Sequence, residues 1–103
     1  PRAVVVHLGT NGPIRPSDMD GLLALLARVP RVVLVNAYMP DPWEGQVNDE
    51  IARVARSHRN VRVADWHALA EQHSGLFYGD HTHPLPDGAR LYARLIRQAI
   101  DAR

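Results

Sequence analysis

A chain of 103 residues with an apolar share of 46% has room for one domain and one hydrophobic core, which excludes disorder, collagen and a coiled coil. No apolar run reaches the ~18–20 residues that cross a bilayer, no basic leader precedes an apolar stretch, and a formal charge of +1 predicts no polycationic surface for nucleic acid or anionic lipid. The absence of cysteine excludes disulfides, thiolate metal sites and a cysteine nucleophile, and the six histidines make mildly acidic pH the range where surface charge changes most.

Residues 3–8 (AVVVHL) form an apolar, β-branched run ending at Gly9, the pattern of a strand buried on both faces of a parallel sheet. Ser17, with Asp20 three residues on, reads as a helix N-cap. Met19, Leu22, Leu23, Leu26 and Val29 then recur at helical spacing until Pro30 stops the helix. Residues 32–37 (VVLVNA) repeat the strand pattern. From about Glu44 to His58 the residues Val47, Ile51, Val54 and Ala55 make a narrow apolar stripe. Residues 61–64 are a third, shorter strand, and Asp65 at its end reads as a cap of a following helix. The last helix opens at Pro86 and places Leu91, Tyr92, Leu95, Ile96, Ala99 and Ile100 on one side.

Alternating strands and helices predict a parallel sheet with helices on its faces. Ligand sites in such sheets lie beyond the carboxyl ends of the strands, where the loops 9–16, 38–45 and the one opening at Asp65 leave, and where 76–86 can reach. Three strands leave both sheet edges open, so another element is expected to complete the sheet. The chain starts at Pro1 and runs straight into a strand, which reads as part of a longer protein. An arginine-only basic set rich in Ala and Val neighbours reads as the codon bias of a GC-rich genome.

The richest polar stretch is Tyr78-Gly79-Asp80-His81-Thr82-His83-Pro84. Asp80, three residues before His83, can fold back onto the imidazole, fix its tautomer and leave the far nitrogen as a general base. The same residues also read as a solvated loop, or as a metal site built on His81, His83 and Asp80. His7, His58, His67 and His73 read as packing or surface residues. Gly9-Thr10-Asn11-Gly12 reads as a turn, or as a loop whose glycines admit a substrate while the Asn11 amide donates to an oxyanion. It lacks the spacing and lysine of a phosphate loop. Trp43 either lines the site or plugs the base of its loop. A nucleophile is missing: Ser17 is read as a cap, Ser57 ends a helix, Ser74 sits beside Gly75, and none stands on a strand-to-helix elbow.

HLGTNG, PDPWEGQVN (residues 40–48), VADW and DHTHPLPDGARLYARLI together resemble the later blocks of the SGNH hydrolase family. They are most similar to the extracytoplasmic domain of bacterial membrane acyltransferases that O-acetylate peptidoglycan and surface polysaccharides. The resemblance covers nearly the whole chain. It implies a three-layer α/β/α sandwich of flavodoxin-like, SGNH type, spanning residues 1–103 as a partial domain. It implies that Asp80 and His83 are the acid and histidine of a triad and Asn11 an oxyanion donor. Gly9, Thr10, Gly12 and Trp43 are the expected substrate-contacting residues. His81 departs from the glycine common at its position in relatives. The family's Gly-Asp-Ser block has no counterpart here, so the serine is expected on a preceding segment and residues 1–103 alone are expected to be inactive. The expected substrate is an acyl ester or carbohydrate, handled by hydrolysis or acyl transfer with no cofactor and no nucleic acid. A tethering domain outside the chain would hold it at the outer face of the cell membrane. Two other functions fit the residues: a non-catalytic carbohydrate-binding module, and a metal hydrolase using His81 and His83.

Overall fold

The computed structural model describes residues 1–9, 12–73, 75 and 86–102. Its elements run β1 (Ala3–His7), α1 (Pro16–Leu25), β2 (Arg31–Val35), α2 (Glu44–Ser57), β3 (Val61–Ala64), α3 (Trp66–Gln72) and α4 (Pro86–Asp101). The strands form one parallel sheet in the order β1-β2-β3, with Val5 opposite Val33 and Leu34 opposite Val63. Its layers are the expected α/β/α sandwich.

β2 is the centre of the molecule because its side chains are consumed on both faces: Val32, Val33, Leu34 and Val35 are each at most 1% exposed. Val32 and Leu34 pack with Met19, Leu23, Val47, Ile51 and Val54 from α1 and α2. Val33 and Val35 pack with Ala64, Trp66, Ala70 and Ala99 on the other side, where α3 and α4 lie. This alternation is the period of two of a strand covered on both faces.

β1 departs from the expectation. It is not buried on both faces: Val5 is 41% and Leu8 40% exposed. β1 pairs only with β2 among the described residues, and α4 packs on β2 and β3. β1 is thus an open edge whose outer face lacks the cover that its apolar residues anticipate.

Two helix boundaries also differ. Ser17 is not the N-cap of α1. Arg15 holds that place with extended dihedrals, its carbonyl accepting from the amides of Asp18 and Met19 at 3.1 Å each, and no side chain caps it. Pro16 explains the shift, since its fixed φ suits the first helical position and its missing N–H leaves one fewer orphan donor. α1 also stops at Leu25, before Pro30. The carbonyls of Leu26 and Val29 accept from the Asn60 side-chain amide at 3.1 and 3.0 Å, so a residue from the β3 approach ends the helix. Asp65, by contrast, caps α3 as expected, accepting from the Ala68 amide at 3.1 Å.

Charge is distributed unevenly. α1 and α2 are joined by Arg53, which meets Asp20 at 2.8 Å and the buried Glu50 at 2.5 Å. These two hydrogen bonds hold the Arg53 guanidinium firmly protonated. The amino ends of the strands collect Arg2, Arg28, Arg31, Arg56, Arg59 and Arg62, none of which pairs with a carboxylate among the described residues. The expectation that near-neutral net charge leaves no basic surface therefore fails at this end.

Replacing Asn60 with alanine should lower unfolding free energy by about 1–2 kcal/mol, since two carbonyls lose their donor. Urea unfolding measures this. An unchanged midpoint with unchanged slope would show that the turn after α1 closes without Asn60.

Candidate active site

The carboxyl rim of the sheet is shaped by α2. Gly9 leaves β1 with φ +92°, and a Cβ built there would sit 2.5 Å from Val47 Cγ1. Glycine is required twice over, by the left-handed conformation and by the approach of the helix. Trp43 donates its indole N–H to the Gly9 carbonyl at 2.8 Å. Trp43 thus acts at the base of the loop, fixing the direction in which the chain leaves β1. Gln46 clasps Ile14 at both backbone groups, donating to its carbonyl at 2.6 Å and accepting from its amide at 2.9 Å. Asn48 does the same for Ala37, at 2.9 and 2.7 Å. Glu44 accepts from the Met39 amide at 2.7 Å.

Between the end of β1 and the start of α1 opens a cleft of about 460 Å³, bounded by His7, Leu8 and Gly9 on one side and Gly12–Arg15 with Asp18 on the other. Gly12 adopts φ +149° in open space. Gly9 and Gly12 are therefore described and placed at this cleft, while Thr10 and Asn11 between them lie outside the described residues. Asp80, His81, His83 and Ser74 also lie outside them.

His7 lies at the same rim, with one edge of its ring in solvent. It stacks on Tyr92 of α4 with ring centroids 5.6 Å apart, and its Nδ1 is 2.8 Å from the Tyr92 hydroxyl. Tyr92 in turn stands edge-on to Trp66 at 5.1 Å. Partial burial pushes the His7 imidazole below its ordinary 6.5 and the Tyr92 phenol above its ordinary 10.0. This pair joins the end of β1 to α4, and sequence reasoning missed it because 85 residues separate the partners.

A second rim feature surrounds His67. Its Nδ1 is 3.1 Å from the Ala37 carbonyl and 3.3 Å from Glu44 Oε1, both acceptors, so the proton belongs on Nδ1. Asn36 donates to Asp65 at 2.9 Å and accepts from the His67 amide at 2.8 Å. Among the described residues no group of three or more acidic or histidine side chains is arranged to hold a metal.

Neither described serine is activated. Ser17 is exposed on α1. Ser57 Oγ lies 3.1 Å from His58 Nδ1, but that nitrogen is 2.8 Å from the Val54 carbonyl. An Nδ1 that donates to a carbonyl has no lone pair to take a serine proton. The pair also sits at the amino end of the sheet.

Two outcomes follow from this geometry. Gly9→Ala should destabilise the fold by about 1–3 kcal/mol, and Gly9→Ala with Val47→Ala should be less damaging than the sum of the single changes. Strict additivity in chemical denaturation would mean that Val47 does not press on Gly9. For His7, the unfolded chain binds the proton more readily than the folded one, so the stability carried by the neutral ring is full above 6.5 and is lost as pH falls below it. Thermal midpoints should drop on acidification, and His7→Gln should remove part of that drop. A His7 resonance titrating above 6.5 would contradict this.

No family model matches the chain. YrhL of Bacillus subtilis (strain 168), named for peptidoglycan O-acetyltransfer, is 38% identical over 99 residues, which are 96% of this chain and 16% of YrhL. The peptidoglycan O-acetyltransferase OatA of Listeria monocytogenes is 32% identical over 99 residues, again 96% of this chain and 16% of the relative. The chain thus spans 16% of the length of these curated relatives. The C-terminal catalytic domain of peptidoglycan O-acetyltransferase A from Streptococcus pneumoniae, solved with a methylsulfonyl adduct, superposes with a TM-score of 0.80 at 26% identity. The match covers 97% of this chain and 64% of that one. Sequence and fold agree: over nearly its whole length the chain is similar to one part of peptidoglycan O-acetyltransferases and shares the SGNH-type fold of the C-terminal catalytic domain of one of them.

Proposed function

We propose that this chain forms the later portion of a serine acyltransferase domain that O-acetylates peptidoglycan or a related surface carbohydrate. The 38% identity to YrhL across 96% of the chain carries the reading. Support comes from the rim: the loop that holds Asn11 leaves the end of β1 under the clamp of Trp43 and Val47, at the edge of a cleft. In the sequence His83 stands three positions before Pro86, the start of α4, and Tyr92 of α4 meets His7 on that rim.

In this mechanism a serine Oγ attacks the acetyl carbonyl while His83 takes its proton. Asp80 holds His83 in the tautomer that leaves Nε2 free. Asn11 donates to the tetrahedral oxyanion. His83 then returns the proton to the departing oxygen, leaving an acetyl-serine. A carbohydrate hydroxyl, deprotonated by His83, takes the acetyl group in the second half. No cofactor enters. The serine belongs to a segment preceding residue 1, and a strand of that segment pairs with the open edge of β1. Gly9, Thr10 and Gly12 border the substrate, with Trp43 behind them. No described helix is long and apolar enough to cross a membrane. In this reading a tethering domain outside the chain holds it at the outer face of the cell membrane.

In the domain joined to that segment, Asn11→Ala should lower kcat for an acetyl ester by ~10²–10³-fold, about 2.7–4 kcal/mol, with KM little changed. Asp80→Asn should lower kcat by about 10⁴-fold without unfolding, His83→Ala should be comparable, and His81→Ala mild. A larger loss in His81→Ala than in His83→Ala, or abolition of activity by chelators, would replace the triad with a metal site. Residues 1–103 alone should release no acetate above the solvent rate. Unchanged kcat in Asn11→Ala would return Asn11 to the role of a turn residue.

A further inference from the structure

The acyl-transfer reading leaves one conspicuous surface unused. Six of the twelve basic residues, Arg2, Arg28, Arg31, Arg56, Arg59 and Arg62, sit at the amino ends of the three strands. Main-chain geometry gathers them. Ala3, next to Arg2, is in register with Arg31, and the Val32 amide donates to the Asn60 carbonyl at 2.7 Å. Asn60 also holds the turn that carries Arg28. Arg56, Arg59 and Arg62 surround one shallow depression with His58. Arg62 donates to the carbonyls of Arg59 and Val61 at 2.8 and 2.9 Å, and Arg31 keeps Nη1 buried with no acceptor among the described residues.

These charges are uncompensated. Asp20 and Glu50, the carboxylates of α1 and α2 nearest this end, are taken by Arg53. Among the described acidic residues only Asp101, at the end of α4, lies at the amino end. The remaining described carboxylates lie at mid-height or towards the carboxyl rim, and the aromatic residues Tyr38, Trp43, Trp66 and Tyr92 lie at or near that rim. The net charge of +1 therefore conceals a molecule with a positive pole opposite its cleft.

We propose that the arginine-rich amino end of the sheet docks on anionic phospholipid headgroups, which turns the carboxyl rim and its cleft away from the membrane. The charges spread over the ends of three strands and the turns between them, a distribution suited to a plane of headgroups. No described aromatic residue stands there to stack on the bases of a nucleic acid strand. Leu25, 84% exposed at the end of α1, is one apolar side chain beside six arginines at this end, so the contact is chiefly electrostatic and salt-sensitive. The choice of lipid over other polyanions rests on the proposed location beside the membrane. The contact adds to any tether a fixed orientation, with the site about 16 Å from the headgroups, the length of the five-residue strand β2.

Sedimentation of the 103-residue chain with vesicles tests this without any reference to acetyl transfer, so its failure and that of the acyltransferase reading are separable. The chain should bind vesicles containing one-third phosphatidylglycerol, ignore pure phosphatidylcholine, and release as salt rises. The triple change Arg56→Gln, Arg59→Gln and Arg62→Gln should weaken partitioning about a hundredfold at low salt. Arg90→Gln, at the opposite end, should leave it unchanged. Circular dichroism confirms that the variants fold, and the salt dependence of the unaltered chain stands even if the triple variant does not. Absence of binding to phosphatidylglycerol vesicles at low salt, equal binding to phosphatidylcholine, or equal loss in Arg90→Gln would overturn the proposal. Binding to soluble polyphosphate without binding to vesicles would likewise overturn it and assign the surface to an anionic polymer.

Discussion

The opening turns of α2 hold the carboxyl rim together. Within six residues, Trp43, Glu44, Gln46, Val47 and Asn48 together engage three stretches of loop backbone: the exit of β1, the approach to α1 and the exit of β2. Loops at a strand end carry unpaired amides and carbonyls that water or a side chain must satisfy. Here one helix satisfies several of them, so the loop exits are fixed by packing on a rigid element. That constraint fixes where the chain leaves β1, because Gly9 cannot move without lifting off Val47 or breaking its bond to Trp43.

This also explains what could and could not be read from the sequence. The span 40–48 stands out by resemblance, yet the roles of Gln46 and Asn48 are invisible there because their partners, Ile14 and Ala37, lie 32 and 11 residues away. β2, α2 and α4 are legible because burial on one stripe or both faces leaves a periodic trace. Asp65 is legible as a cap because the capping bond is local. α1 is misread at both ends. Pro16 outranks Ser17 as a start signal, and its stop is imposed by Asn60 from another loop. β1 carries the residue pattern of a two-faced buried strand but not the burial. Asn11, Asp80 and His83 stand out by their residue types and by resemblance, while Asn11 follows a strand whose end is fixed.

The uneven covering of β1 and the uneven placement of charge are aspects of one layout. The sheet has a crowded, acidic, aromatic carboxyl end and an arginine-rich amino end, separated by the length of its strands. The exposed apolar side chains of Val5, on β1, and Leu8, just past its end, lie at the open edge of the sheet. Ser57 is held at the amino end of the sheet by its helix, and Ser17, exposed in the first turn of α1, makes no hydrogen bond to a histidine among the described residues.

Identification of the nucleophile tests the central claim most directly. A small sulfonyl fluoride modifies a serine only where a neighbouring base activates it. The domain joined to the proposed serine-bearing segment should be treated with methanesulfonyl fluoride, digested and examined by peptide mass spectrometry. The account predicts a single adduct on a serine in that preceding segment, lost when His83 is replaced by alanine. An adduct on Ser17, Ser57 or Ser74, or labelling that persists undiminished without His83, would contradict it.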